Sequence, residues 1–559
     1  MLNIKITNFI KKNNITNLIK VFIFFLILAL FTQSFHNPFT VINEFIYLSQ
    51  PYDIRGITKG MIYILTYLSA ILGTVLLIFI KSNKSFYLFL FMAFIFFFID
   101  FFIQFIGITN GFSHDKFSLA VNEAANIRFL ISYLYDIIYA LFTSLIVIFI
   151  IFIIRKKYKN TRYSSKILIF VLIPIILIYF ATINVSSIKS SSFPVLFKTP
   201  VIILYYYTSK RPIKKRILNK NIQPSNKKNS DIKNIIWIID ESITGSYLSI
   251  NGYNKKTTPY LETLIKESND ISNYGIVNSV SNCSLTSNLY LRIGLNPRLN
   301  KTFKSSVMNL PTIYQYAKRA GYTTWLIDSQ AAKDTLQDAL TIYDLQDIDN
   351  FITYERNILP YKRDNKGIEK IINIQNNHKK NFIVMVKFGS HFPYLLSYDH
   401  SNTKFLPVME TTYGGFIKEN KEKLINTYLN SLYNNVDIYL KKLLSKLNLK
   451  KTILFYTSDH GQNIMENNSK TTHCNTTNIV KNEVTVPLLI FTHNAKKLYP
   501  VNNNKHYSQI EIFPTTLALF GYEDNISASY GKDLRIGINK TKSRSYYIVG
   551  TGKTALFDK

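Results

Sequence analysis

Five apolar stretches crowd the first third of this chain, at roughly 18–34, 60–80, 86–108, 130–154 and 166–185. Each is long enough, or nearly so, to cross a bilayer as a helix of about 20 residues. The first follows a basic approach, KKNNITNLIK. No small-residue cleavage site comes after it, since the sequence runs on as TQSFHNPF, so it reads as a retained helix. Basic residues gather at the N-terminus, in the turn KSNKS (81–85) and in the loop RKKYKNTRYSSK (155–166). The alternate segments, 35–59 and 109–129, carry fewer basic residues for their length and several acidic ones. The positive-inside rule then puts the N-terminus in the cytoplasm and, after five crossings, everything beyond residue 186 outside. In a bacterium with two membranes that is a multi-pass inner-membrane protein with a periplasmic domain.

At 559 residues the chain is too long for one ordinary core. The expected division is a five-helix transmembrane domain over 1–185, a connector over 186–232 and a soluble domain over 233–559. The connector is Ser-, Lys- and Asn-rich in places, and its VIILYYY run suits an interfacial segment. Net charge is +32, from 66 Lys+Arg against 34 Asp+Glu. The lysines are interleaved with Asn and Ile along the whole chain rather than gathered in a patch. With no zinc-finger spacing, Walker loop or aromatic RNA-binding signature, nucleic acid is not the expected partner. Attraction to anionic lipid or lipopolysaccharide is compatible with the charge.

From residue 233 short β-branched runs alternate with amphipathic stretches. NIIWIID (234–240), TTWLID (323–328), NFIVMVKF (381–388), TILFYTS (452–458) and VPLLIFT (486–492) read as buried strands. LPTIYQYAKRAG and LINTYLNSLYNNVDIYLKKLLSKL read as helices between them. The alternation predicts an α/β domain with a largely parallel sheet. Polar residues end these strands: Asp240-Glu241, Asp328, Ser390-His391 and Asp459-His460. In open α/β sheets ligands bind beyond the carboxyl ends of the strands, so these residues converge on one rim. Glu241, Asp459, His460 and the nearby His473 are donors of the kind that suit zinc. SVSNCSLTSNLY (279–290) supplies hydroxyls, with Thr286 near a helix start, where free backbone N–H groups favour a phosphate.

IIDESITGSYLSINGYNKKTTPYL, FGSHFPY and SDHGQNIMENNSKTTHC together resemble the phosphoethanolamine transferases of bacterial envelopes, members of the alkaline-phosphatase and sulfatase superfamily. The resemblance spans about 240–495. It implies an α-helical membrane domain of five transmembrane helices followed by an α/β sulfatase-like domain. It further implies that Glu241, Thr286, Asp459 and His460 ligate one or two zinc ions, with Thr286 as the nucleophile that carries phosphoethanolamine. His391 and His473 would contact the phosphoryl group or a second zinc, one of them acting as general acid. Lys333 would contact substrate, and Asn122 and Glu123 correspond loosely to outer-loop residues that contact ethanolamine. The implied reaction takes phosphoethanolamine from phosphatidylethanolamine to lipid A or the lipopolysaccharide core, in a membrane-embedded monomer.

Two departures stand out. The family has its Cys two residues before the threonine, whereas Cys283 is three before Thr286, so Ser281, Ser284 and Ser287 compete as nucleophiles. The well-known members carry several disulfides, whereas Cys283 and Cys474 allow one at most. They can form it if Thr286 and His473 meet at one metal and the Cα atoms come within about 4.4–6.8 Å. A sulfatase proper needs a proline and an arginine after its nucleophile, and CSLTS has neither. A phosphoglycerol transferase of the lipoteichoic-acid-synthase type shares the expected metal shell. A non-catalytic sulfatase-like envelope protein would have eroded ligands, and here all are present.

Overall fold

The computed structural model describes residues 12–32, 40–49, 54–105, 134–164, 168–184, 193–208, 232–299, 310–333, 335–355, 357–377, 379–411, 416, 418–466, 472–475, 478–502, 506–535, 545–549 and 553–556. Contacts divide the chain into two units, Met1–Pro212 and Ile213–Lys559.

The described part of the first unit is helical: α1 (Lys12–Thr32), α2 (Thr40–Ser49), α3 (Ile54–Ile78), α4 (Asn83–Phe105), α5 (Leu134–Lys157), α6 (Leu168–Asn184) and α7 (Val195–Thr208). Helices over Gly56–Ile78, Asn83–Gln104 and Leu134–Lys157 are long and apolar enough to cross a membrane. They match the expected spans at 60–80, 86–108 and 130–154. The expected spans at 18–34 and 166–185 fall on α1 and α6. Their described apolar stretches, Thr16–Ile27 and Val171–Phe180, are shorter than a crossing. Among the described residues, three of the five expected spans are therefore supported. Residues 33 and 34 and the 109–129 segment with Asn122 and Glu123 lie outside the described residues. The VIILYYY run belongs to α7, which packs on α4 and α6. Lys198 of α7 meets Asp100 of α4 at 2.8 Å with both side chains fully buried, and Gln104 Nε2 donates to the same carboxylate at 2.6 Å. Taking two charges out of water is costly unless they pair, and here they pair across two apolar helices.

The second unit is built on a seven-stranded sheet of order β2-β7-β6-β1-β5-β3-β4. The strands are β1 (Asn234–Asp240), β2 (Ile271–Asn278), β3 (Thr323–Ala332), β4 (Asn350–Tyr354), β5 (Asn381–Val386), β6 (Thr452–Ser458) and β7 (Thr485–Phe491). β6, β1, β5, β3 and β4 run parallel, while β7 is antiparallel to both β6 and β2. Every residue of β1, β5, β6 and β7 is buried. Strands covered on both faces read as continuous apolar runs, which is why these four were legible in the sequence. The sequence reading missed β2, whose run is interrupted by Gly275 at φ 73°, and β4, a partly buried strand at the sheet edge.

Helices α8 (Pro259–Glu267), α9 (Ser284–Ile293), α10 (Ile313–Arg319), α11 (Pro360–Gln375), α12 (Lys421–Leu432) and α13 (Ile512–Leu519) surround the sheet. α10 starts at a capping box in which Thr312 and Gln315 satisfy each other's backbone donors. α12 continues through a π-helical turn at Tyr433–Ile438 into Tyr439–Leu444. On one face Trp237, Phe382 and Phe520 meet edge-on at 5.5 and 5.3 Å, and the Trp237 indole donates to Thr516 Oγ1 at 3.0 Å. Such pairs add directionality to the area they bury.

The rim at the carboxyl ends of β1 and β5 tolerates no extra atom. Gly389 sits at φ 53°, and a Cβ there would lie 2.1 Å from Asp240 Oδ1 and 2.7 Å from the Glu241 amide nitrogen. Gly389→Ala should therefore lower stability by about 2–4 kcal/mol, from the left-handed backbone and the overlap together. Thermal unfolding of the purified variant measures this; a midpoint within 1 °C of wild type, taking about 1 kcal/mol as a few degrees, would refute it.

Candidate metal centre and nucleophile

β1 delivers Glu241 and β6 delivers Asp459 and His460, because the two strands pair in register from Asn234–Thr452 to Asp240–Ser458. The chain ends that leave adjacent parallel strands are held together: the Asp459 amide donates to the Asp240 carbonyl at 2.9 Å. Glu241, His460 and His473 come together so that one donor atom from each lies within 4.8 Å of the others. The His460 and His473 rings stack with centroids 4.2 Å apart, and His460 Nε2 is 3.4 Å from both Glu241 Oε1 and Asp459 Oδ2.

Neighbouring groups orient each donor. Glu241 Oε1 accepts from Ser242 Oγ at 2.7 Å, and Oε2 accepts from Gln330 Nε2 at 2.9 Å. His460 Nδ1 is 2.6 Å from the Gly461 carbonyl, leaving Nε2 for the cluster. His473 Nδ1 is 2.9 Å from Thr472 Oγ1 and 3.2 Å from Gln462 Oε1. Asp459 Oδ1 accepts from the Ser242 and His460 amides, whereas Oδ2 is buried without a hydrogen-bond partner. A buried carboxylate oxygen without a donor is a costly arrangement that a bound cation relieves. Two carboxylates and two imidazoles, with that orphaned oxygen among them, fit zinc.

Charges in the cluster pull against burial. Burial opposes ionisation of Glu241, but hydrogen bonding to His460 and its charge hold the carboxyl well below its usual range. Burial and the Glu241 charge push Asp459 well above it. Burial disfavours protonated His460, yet Asp459 and Glu241 outweigh it and raise the imidazole to about 9. Burial and the His460 charge hold His473 well below the ordinary imidazole value. Two carboxyls and two imidazoles with opposing proton affinities thus share a dry space, which is the electrostatics a divalent cation would complete.

The hydroxyl that meets this cluster belongs to Ser284. Its Oγ lies 3.0 Å from His460 Nε2 and 3.4 Å from Glu241 Oε1. Ser284 is the first residue of α9, where the backbone N–H groups lack helical acceptors. Thr286, two residues on, is rotated by about 200° around a helix of 3.6 residues per turn. Its Oγ1 is engaged by Ser281 Oγ at 2.7 Å and the Cys283 carbonyl at 3.0 Å. Ser281 Oγ also donates to the Tyr547 carbonyl, and Ser287 Oγ donates to the Ser281 carbonyl.

Of the remaining expected residues, His391 lies close enough to act electrostatically on both Glu241 and His473, and its Nδ1 is 2.6 Å from the Phe392 carbonyl. Lys333 instead extends into solvent and pairs with Glu355 at 2.8 Å. Gln330 takes the place at Glu241 that the sequence reading did not assign. Its only sequence signal was its position two residues past the strand-ending Asp328. Cys283 and Cys474 are bridged, with Cα atoms 4.6 Å apart across 191 residues. The bridge ties the N-cap of α9 to the loop that carries His473.

A family model described as Sulfatase matches residues 233–522. The Kdo(2)-lipid A phosphoethanolamine 7''-transferase of Salmonella typhimurium is 26% identical over 269 residues, covering 44% of this chain and 43% of that protein. The chain thus spans less than half the length of that relative. The integral membrane lipooligosaccharide phosphoethanolamine transferase A (EptA) of Neisseria meningitidis shares the fold. It covers 89% of this chain and 96% of its own, at TM-score 0.60 and 17% identity. The periplasmic domain of EcEptC from Escherichia coli, in complex with Zn, matches 60% of this chain and 97% of its own, at TM-score 0.50 and 19% identity.

Opening the disulfide should loosen the cluster. Replacing both Cys283 and Cys474 by Ser should weaken zinc binding about 10–100-fold, the range for groups that orient ligands. It should also cost about 2–5 kcal/mol of stability. Competition with a chromogenic chelator reads the first effect and thermal unfolding the second; unchanged zinc affinity would show that the bridge does not position His473.

Proposed function

The chain belongs to the sulfatase family, and we propose that within it the protein is a zinc-dependent transferase. It moves phosphoethanolamine from phosphatidylethanolamine to lipid A or the lipopolysaccharide core. The observation that carries this reading is the Ser284 hydroxyl, at a helix N-terminus, 3.0 Å from His460 and 3.4 Å from Glu241. The relatives named phosphoethanolamine transferases and the Zn complex of a protein with this fold support the reaction class and the metal. The apolar helices of the first unit, and the likeness to an integral membrane protein and to a periplasmic domain, support an inner-membrane protein whose second unit works in the periplasm.

Glu241, Asp459, His460 and His473 would hold zinc, with His391 beside them. Bound there, the metal supplies positive charge that favours an ionised hydroxyl and a phosphoryl group. Ser284 Oγ forms the new bond to phosphorus as the bond to the diacylglycerol oxygen breaks. Its proton passes to water, the ionised hydroxyl being the form that zinc bound there would favour. The diacylglycerol oxygen leaves with a proton from His391, the imidazole beside the cluster that is not among the proposed ligands. An acceptor oxygen then attacks the phosphoserine, and Ser284 leaves in turn. Free amides at the start of α9 face the phosphoryl oxygens through both steps.

The resemblance points to Thr286 as nucleophile and the distances favour Ser284, and the two are separable. Full-length protein incubated with phosphatidylethanolamine and no acceptor should gain one phosphoethanolamine on the peptide containing Ser284. Ser284→Ala should abolish the adduct, a loss of at least about a thousandfold, as expected when a nucleophile is removed. Thr286→Ala should retain it within about tenfold, since only hydrogen bonds beside the site are lost. Fragmentation mass spectrometry that maps the group to Thr286 would overturn the serine assignment.

A further inference from the structure

Against the second and third turns of α9 lies a cavity of about 30 Å³, bounded on one side by the apolar face of β1, β3 and β5. Its polar lining comprises Asn288, Arg292, Tyr314, Asp328, Gln337 and Asp338. Ser284, Asn288 and Arg292 follow one another at four-residue intervals and so share one face of the helix. Asn288 is therefore about 6 Å along the axis from the hydroxyl at the metal cluster. The cavity is also wired to that cluster by side chains. Gln337 Nε2 donates to Asp328 Oδ1 at 3.0 Å and to Gln330 Oε1 at 3.2 Å, and Gln330 donates onward to Glu241.

The lining is built for a cation. Two carboxyl groups, Asp328 and Asp338, line the space with one guanidinium, Arg292. Asn288 Nδ2 donates to Asp338 Oδ2 at 2.7 Å, which leaves its carbonyl oxygen for another donor. That oxygen is buried, in a residue only 4% exposed, and has no hydrogen-bond partner. Burial, together with the charges of Asp328 and Glu241, pushes the Asp338 carboxyl up to about 7, against the opposing pull of Arg292 and the Asn288 hydrogen bond. A space of this size holds about two water-sized groups. An ammonium with its adjoining methylene fits that description; a trimethylammonium does not.

We infer that this cavity is the specificity pocket for the donor headgroup, in which Asp338 and the Asn288 carbonyl oxygen receive the primary ammonium of phosphoethanolamine while its phosphorus sits at Ser284. The four bonds from phosphorus to nitrogen span about the length of one helical turn, which is the separation of Ser284 and Asn288. The inference rests on the transfer reaction proposed above for the substrate's identity. A hydroxyl-terminated headgroup would meet the same carboxylate without the charge, and a choline headgroup would be too wide.

Two measurements on zinc-loaded full-length protein in detergent separate this pocket from the transfer reaction. In calorimetric titrations wild type should bind O-phosphorylethanolamine at least about tenfold more tightly than glycerol 3-phosphate or phosphocholine, the worth of one charge-assisted hydrogen bond. Asp338→Asn and Asn288→Ala should each bring the ratio to within about threefold of unity while leaving glycerol 3-phosphate binding unchanged. The second variant serves if the first fails to fold. Adduct formation from phosphatidylethanolamine, compared with phosphatidylglycerol, should show the same loss of preference. Equal binding of the three ligands by wild type means the cavity holds only ordered water, and equal weakening of all ligands in the variants means a purely structural role; either overturns the inference. If wild type forms no adduct from any phospholipid but keeps the ammonium preference, the pocket stands and the transfer reaction falls.

Discussion

The candidate site hangs on one buried ion pair. Lys387 Nζ lies 2.6 Å from Asp240 Oδ2, and neither side chain has any exposed surface. The ammonium also donates to the Asn435 carbonyl at 2.5 Å and stands 3.9 Å over the Tyr439 ring, while Tyr456 donates to the same carboxylate at 2.7 Å. Desolvating two charges is repaid only when their remaining hydrogen-bonding capacity is filled, as it is here. The other oxygen, Asp240 Oδ1, accepts from the Glu241 amide at 3.0 Å. Three strands and the π-turn of α12 are thereby locked around the residue that aims Glu241 at the cluster. Burial still dominates the carboxyl, raising Asp240 to about 6 despite the lysine.

That lock explains why glycine is required next to it. The backbone after β5 passes so close to Asp240 and Glu241 that position 389 has room only for hydrogen. Gly461 repeats the arrangement after β6, where a Cβ would lie 1.9 Å from the Asn482 carbonyl oxygen. Two strand ends therefore turn away from the sheet in contact with their neighbours. The side chains at those ends, His391 on one and His460 on the other, are brought inward by backbone close-packing rather than by their own contacts. The disulfide adds the third restraint, from a part of the chain that the sheet does not reach.

A rim at the carboxyl ends of the strands is a general property of open α/β sheets, and the charge distribution here shows why it becomes chemistry. Glu241, Asp459, His460 and His473 have opposing proton affinities because burial and mutual charge act on them unequally. Perturbed groups of this kind mark functional sites more often than structural ones. In this protein they adjoin a helix start carrying a hydroxyl, so candidate ligands, the Ser284 hydroxyl and the first amides of α9 fall within one turn of helix.

Much of this was legible from residues alone. Four strands buried on both faces announced themselves as unbroken apolar runs, and the strand-end carboxylates and imidazoles followed from where those runs stop. Three membrane-length helices were equally plain, since hydrophobic length is a local property. What the sequence could not decide was angular phase. SNCSLTS offers five consecutive or near-consecutive hydroxyl and thiol groups, and one residue's shift in the helix start turns a different one toward the cluster. Only the packed start of α9, pinned by the Cys283–Cys474 bridge, directs Ser284 inward and Thr286 toward Ser281. Gln330 and the cavity lined by Asp338 were invisible for the same reason, because they arise from loops whose course depends on residues distant in the chain. The sequence by itself determined which residue types lie at the strand ends; the tertiary structure decided which atoms face one another, because that depends on helix rotation and long-range closure that no local pattern encodes.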